Sequence, residues 1–229
     1  MANNSIAIRI QDLIGTDMDA SLVTSYVDLV NAGFNAIADL IPATSELWST
    51  AKLSKTTTPD APLDNKKVIM VLRKDDSSGD SERRCREISY DEYLKGQSPS
   101  SIFYLAKGRH LPAYSMGPGG KIQFAPPIDS DTVKIYYFQY ITGDISGLYG
   151  FGGTEAVDGT GIGFPQEAET AGCLAASINL LQARMSFAAQ DDEDLELMQL
   201  LQGQIALLDK QLQGEAQRLG LPYKILGKE

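Results

Sequence analysis

Apolar residues in this chain follow a helical period at both ends and a strand period in the middle. In SIAIRIQDLIG, Ile6, Ile8 and Ile10 alternate as in a strand, while Ile6, Ile10, Leu13 and Ile14 share one helical face. The helix is preferred, with Gly15 as its stop. Between Asp19 and Pro42, the residues Val23, Tyr26, Val27, Val30, Phe34, Ile37 and Ile41 recur at helical spacing. Asp19 is the expected N-cap, and Pro42 ends the helix because it has no amide hydrogen to donate. TSELWSTAKL predicts a short third helix with Leu47, Trp48 and Ala51 turned inward.

The period then changes. SKTTTPDAPLDN has two prolines and no periodicity, so it is read as a linker. From Lys66 to Tyr140 the runs KVIMVLRKD, RRCREIS, SIFYLA, PAYSMG, KIQFAP and TVKIYYFQYI are short, and Gly, Pro and Ser separate them. The last run should place Val133, Ile135, Tyr137 and Gln139 on one face and Lys134, Tyr136, Phe138 and Tyr140 on the other. Such strands predict a small antiparallel meander or sandwich. SYDEYLKG within it reads as one or two helical turns capped by Ser89.

The last third is helical again. Leu174, Ile178, Leu181 and Met185 form one stripe, and AAQDDED supplies caps and acids suited to a helix dipole. A longer helix runs from about Leu195 to Leu219. Its residues Met198, Leu201, Ile205, Leu208 and Leu212 form a heptad seam that is too short for a free coiled coil and must pack on something. The pattern as a whole predicts an α+β fold. Residues 1–54 and 165–220 would form a helical bundle, with a small antiparallel β domain inserted over 66–140. A glycine-rich loop over 141–164 and a tail over 221–229 complete the chain.

The final helix carries more leucine than one stripe needs. Leu195, Leu197, Leu200 and Leu207 lie off the seam. Burying all of them would contribute on the order of 6–12 kcal/mol, at roughly 1.5–3 kcal/mol each. Packing between identical subunits would provide that cover, and these four leucines with Gly203 form the expected subunit interface. Gly203 and Gly214 each weaken a helix by about 1 kcal/mol, which a close backbone approach by another element would explain. The other reading makes this helix the centre of its own bundle.

Charge narrows the function. The 229 residues carry 20 basic and 30 acidic side chains, a net charge of −10. Residues 1–51 hold one Arg against six acids, residues 52–110 twelve basic groups against nine acids, residues 111–140 two of each, and residues 141–229 five basic groups against thirteen acids. Gripping DNA needs basic groups that displace counterions, so a specific nucleic-acid reader is disfavoured. No apolar run reaches the roughly 18–20 residues that span a bilayer. The N-terminus lacks the basic and apolar pattern of a secretory leader. Cys85 and Cys173 are accordingly expected as reduced thiols.

Candidate chemistry is sparse. GDISGLYGFGGTEAVDGTGIGFP lies between a strand and a helix, where phosphate loops occur. It has no Lys next to a closing glycine, carries Asp144, Glu155 and Asp158, and misses the dinucleotide glycine spacing. It is read as a return loop that Tyr149 and Phe151 fasten to a neighbour. His110 is the only histidine and stands in no triad pattern. Asp191–Asp194 lacks the calcium-loop spacing and reads as a helix cap. The densest basic cluster, Arg83–Glu87, reads as a charged sheet edge or a docking patch for an acidic partner. No catalytic residue, metal ligand or cofactor site is expected, and the chain is not read as an enzyme.

Three stretches resemble the head-to-tail adaptor proteins of tailed bacteriophages. NAGFNAIADLIPATSELW is similar to their helix that ends in proline before a second short helix. KIQFAPPIDSDTVKIYYFQYITG resembles their closing hairpin. FPQEAETAGCLAASINLLQARMSFAAQDDEDLELMQLLQGQIALLDKQLQGEAQRL resembles their terminal helix pair. The resemblance covers about half of the chain and rests on the order of these stretches around a β region. It implies a virion protein without enzymatic activity that forms a ring, commonly of twelve copies, beneath the portal. Such a ring extends the channel through which double-stranded DNA passes without specific binding, and presents a platform to tail or neck proteins. It also implies portal docking through the tail LPYKILGKE, with Tyr223, Ile225 and Leu226 available to bury. The β insertion is large and the return loop rich in glycine for this family. Competing readings are a tail terminator or neck stopper, or a monomeric cellular binding module with its site at Gly143–Gly163.

Overall fold

The structure is a computed structural model and describes residues 5–15, 26–51, 53–58, 63–74, 82–97, 112–125, 132–145, 163–189 and 195–222. The chain forms an α+β fold of two compact units, unit 1 from Met1–Lys52 with Tyr140–Glu229 and unit 2 from Leu53–Gln139.

Unit 1 contains the helices α1 (Ile6–Ile14), α2 (Tyr26–Leu40), α4 (Glu169–Ala188) and α5 (Leu195–Arg218). In α1 the isoleucines at positions 6, 10 and 14 are buried while Ile8 is exposed, so the helical period wins over the alternating one. The Ser5 hydroxyl accepts from the Ile8 amide at its start, and Gly15 closes it at φ 68° in the left-handed region that glycine enters freely. Asp19, the expected cap of α2, lies outside the described residues. The expected third helix is only a 3-10 turn, Glu46–Ser49. Trp48 is buried there and donates to the Pro42 carbonyl, while Leu47 and Ala51 are half-buried.

The centre of unit 1 is α4, which packs against α1, α2 and α5. The single stripe expected for it is too narrow. Leu174 and Leu181 are buried, but so is every residue from Ala171 to Ser177. The cause is the run AGCLAAS, whose small side chains let three helices approach at once. A Cβ built on Gly33 of α2 would lie 2.4 Å from the Ala176 nitrogen of α4. One built on Gly172 would lie 2.4 Å from the Phe34 ring, which meets Phe164 edge-on at 5.2 Å. Polar groups tie the helices at their margins. Arg9 pairs with Glu169 at 3.1 Å, Asn179 donates to the Leu29 carbonyl at 3.1 Å, and Gln204 of α5 donates to the Leu13 carbonyl at 3.1 Å. Asn35 donates to the Ile141 carbonyl and accepts from its amide, serving that backbone as a strand partner would.

Unit 2 holds two sheets. The four-stranded sheet has the order β1 (Ser54–Thr56), β7 (Thr132–Gln139), β2 (Lys66–Lys74) and β3 (Arg83–Arg84), antiparallel throughout. The three-stranded sheet has the order β4 (Arg86–Glu87), β5 (Ala113–Met116) and β6 (Ile122–Ala125), with β4 parallel to β5. Leu63, Val71, Cys85, Tyr114, Ile122, Phe124, Val133 and Ile135 build one core from both sheets. Helix α3 (Tyr90–Gly96) begins with the expected Ser89 cap, closed reciprocally by Glu92.

Three expectations for this region change. Ser54–Thr56, read as linker, is a strand paired with β7. RRCREIS is not one strand: on either side of the buried Cys85, whose amide donates to the Val71 carbonyl, Arg83–Arg84 pairs in one sheet and Arg86–Glu87 in the other. β6 and β7 do not form the closing hairpin, since β6 pairs with β5 while β7 lies between β1 and β2. The charged-edge reading of Arg83–Glu87 fits, because β3 and β4 are edge strands with Arg84 and Arg86 exposed. The run SIFYLA lies outside the described residues.

Candidate functional site

The site follows from how α5 lies on α4. Leu201, Leu208, Leu212 and Ala216 are buried, and Met198 and Ile205 are half-buried, so the heptad seam of α5 is the face turned to the bundle. One seam suffices because, among the described elements, α5 packs chiefly on α4, whereas α4 is surrounded by α1, α2 and α5. The helix central to the bundle is therefore α4, and the reading that gave α5 this place is corrected.

The leucines off the seam separate. Leu200 and Leu207 are 66% and 57% exposed. Seven residues apart, they differ by only about 20° around the axis and stand one above the other. Gly203 lies between them at helical spacing. Leu195, 72% exposed, sits more than 90° away by the same period, and Leu197 is half-buried toward the bundle. The five residues expected as one interface are thus a ridge of Leu200, Gly203 and Leu207 with two outliers. Nothing lies within 4 Å of a Cβ placed on Gly203 or Gly214. Among the described residues, nothing supplies the close backbone approach expected at these glycines.

Opposite this ridge is a groove. Helices α2 and α5 both lie on α4 and leave between them a cavity of about 430 Å³. Gly33 and Ala36 of α2, Ile178 and Met185 of α4, and Ile205 and Ala206 of α5 give it an apolar wall. Ile178 and Met185, expected in the buried stripe of α4, are half-buried because they border this opening. The groove was not foreseen. It exists because two helices lie on a third without closing the space between them, which no local pattern encodes.

Tyr223, Ile225 and Leu226, the expected portal-docking residues, lie outside the described residues. So do Tyr149 and Phe151 of the glycine-rich loop, His110, and Asp191–Asp194. Among the described residues no group of three or more His, Cys, Asp or Glu is placed to hold a metal ion, and no helix is long and apolar enough to cross a membrane.

Both cysteines are free thiols packed in cores. Burial pushes each up to about 11, against the nearby positive charges of Arg73 for Cys85 and Arg9 for Cys173. At neutral pH they are protonated and poor nucleophiles. A folded value above the ordinary value of 9.0 means full stability below pH 9 and loss as pH rises toward 11. Each thiol should contribute on the order of 2 kcal/mol to that loss. Urea melts below pH 9 and near pH 11 are expected to show a smaller loss in Cys173→Ala than in the parent. Equal losses would refute the assignment.

No family model matches the chain, and no curated protein matches it.

Proposed function

We propose that this chain is a structural virion protein of the head-to-tail adaptor type, forming an oligomeric ring between portal and tail. The observation that carries the reading is the exposed ridge of Leu200 and Leu207 on a helix whose other face is packed in the bundle. Exposed leucines scattered singly are ordinary; these two are stacked on one flank with a glycine between them, and that apolar strip is what we read as a contact surface. The order of helices, inserted sheets and a terminal helix pair supports the adaptor resemblance, whose closing hairpin β6 and β7 do not form. So does the division of charge: unit 1 has seven basic against nineteen acidic side chains and unit 2 thirteen against eleven, counted over the whole chain. An acidic helical surface lining a channel repels phosphate and lets a duplex slide. It also repels its own copies, so association should strengthen as salt screens the charge.

Native mass spectrometry of the full chain, alone and with the portal protein of its own particle, tests the proposal. Cyclic multiples of one fixed number are expected in at least one condition. A closed two-fold dimer, or a monomer in both conditions, overturns it. A monomeric binding module is the second reading, favoured by the groove beside α5. A thermal shift with a small apolar ligand, without assembly, would support that module instead.

A further inference from the structure

Resting on the ring reading, we infer that the groove between α2 and α5 receives the Leu200–Leu207 ridge of the next copy. The first ground is position. At 3.6 residues per turn, the ridge and the groove-facing residues Gln202, Ile205, Ala206 and Asp209 lie on roughly opposite flanks of α5. A ridge cannot reach its own groove, and two ridges facing each other would leave both grooves empty. Ridge into groove is a head-to-tail contact, in which each copy gives one surface and takes another. That contact generates rings when the rotation closes.

The second ground is size. Leu200 and Leu207 are about 10 Å apart along the axis, and the groove borders α5 from Gln202 to Leu212, about 15 Å. An enclosed apolar cavity of roughly 150 Å³ takes up a benzene molecule; the groove is open and partly polar, through Asn179, Gln182, Gln202 and Asp209, but its 430 Å³ has room for two leucine side chains. Met185 lines the groove and adapts its shape to what enters. The absent Cβ of Gly203 lets the backbone of the incoming helix come close between its two leucines.

The third ground is charge. Lys210 is exposed one turn beyond Leu207, and the groove is lined by Asp209, whose carboxylate accepts from Gln213 of the same helix at 3.1 Å. A copy inserted ridge-first brings a cation toward a carboxylate, in a unit that is otherwise strongly acidic.

Cross-linking of the full chain tests the contact, because the native thiols are buried and Gln182 on the groove and Leu207 on the ridge are both exposed. Under oxidation at raised salt, Leu207→Cys combined with Gln182→Cys is expected to give a ladder of covalent dimers, trimers and larger species, and Leu207→Cys alone none. A groove-filled variant, Ala206→Trp, mixed with a ridge-less one, Leu200→Gln/Leu207→Gln, is expected to stop at one-to-one pairs, since only one ridge and one groove remain intact. Covalent dimers from Leu207→Cys alone would mean ridge against ridge and overturn the inference. Rings in native mass spectra without the ladder would also overturn it, while leaving the ring reading intact. Absence of both rings and ladder overturns both.

Discussion

Gly33→Val is expected to destabilise unit 1 by about 3 kcal/mol or more, at or beyond the upper end of what overpacking does in a core. The first added carbon would sit 2.4 Å from the Ala176 nitrogen, 2.6 Å from its Cα and 2.9 Å from the Ala175 carbonyl carbon. These are backbone atoms of α4, and a backbone held by three helices cannot step aside as a side-chain tip can. Even Gly33→Ala, which gains about 1 kcal/mol of helix propensity, should lose more than it gains. Gly214→Ala is the control with the opposite sign. It lies on α5 with nothing within 4 Å of the new carbon, so the propensity gain of up to about 1 kcal/mol should appear undiminished in the monomer. Urea unfolding followed by far-ultraviolet circular dichroism measures all three. If Gly33→Val melts with the parent, the close contact between α2 and α4 does not hold.

The second large effect falls on assembly rather than folding. Leu200→Gln/Leu207→Gln removes two exposed leucines and keeps good helix formers in their places. Monomer stability should stay within about 0.5 kcal/mol of the parent, as surface changes usually do. Burying two leucines in each contact would contribute roughly 3–6 kcal/mol. Their loss should weaken association by about two to four decades at 1.4 kcal/mol per decade. Sedimentation velocity across a concentration series reads this directly. A variant that associates like the parent would remove α5 from the interface, and a variant that unfolds would show that these leucines belong to the core.

Much of the helical half was readable, because amphipathic period and capping are local. The isoleucine spacing of α1, the seam of α5 and the Ser89 cap all lie within a few residues of chain. The β half was readable in composition and not in pairing. β6 and β7 are consecutive in the chain yet belong to different sheets, and the run around Cys85 serves both. Strand partners are chosen by which apolar faces close one core, and the buried Cys85 of that core stands between the segments that pair in the two sheets.

The leucine excess of α5 was visible in the sequence, although its division was not. The letters alone required an α+β chain with helices at both ends, an acidic balance, and a last helix carrying more apolar surface than a single seam uses. Only the tertiary structure decided that α4 takes the centre, that Leu200 and Leu207 rather than Leu197 point outward, and that a groove opens on the far flank of the same helix. The reason is physical. Period assigns residues to faces of a helix, but which face meets a neighbour depends on how closely helices can approach, and the small residues of AGCLAAS draw the others around α4.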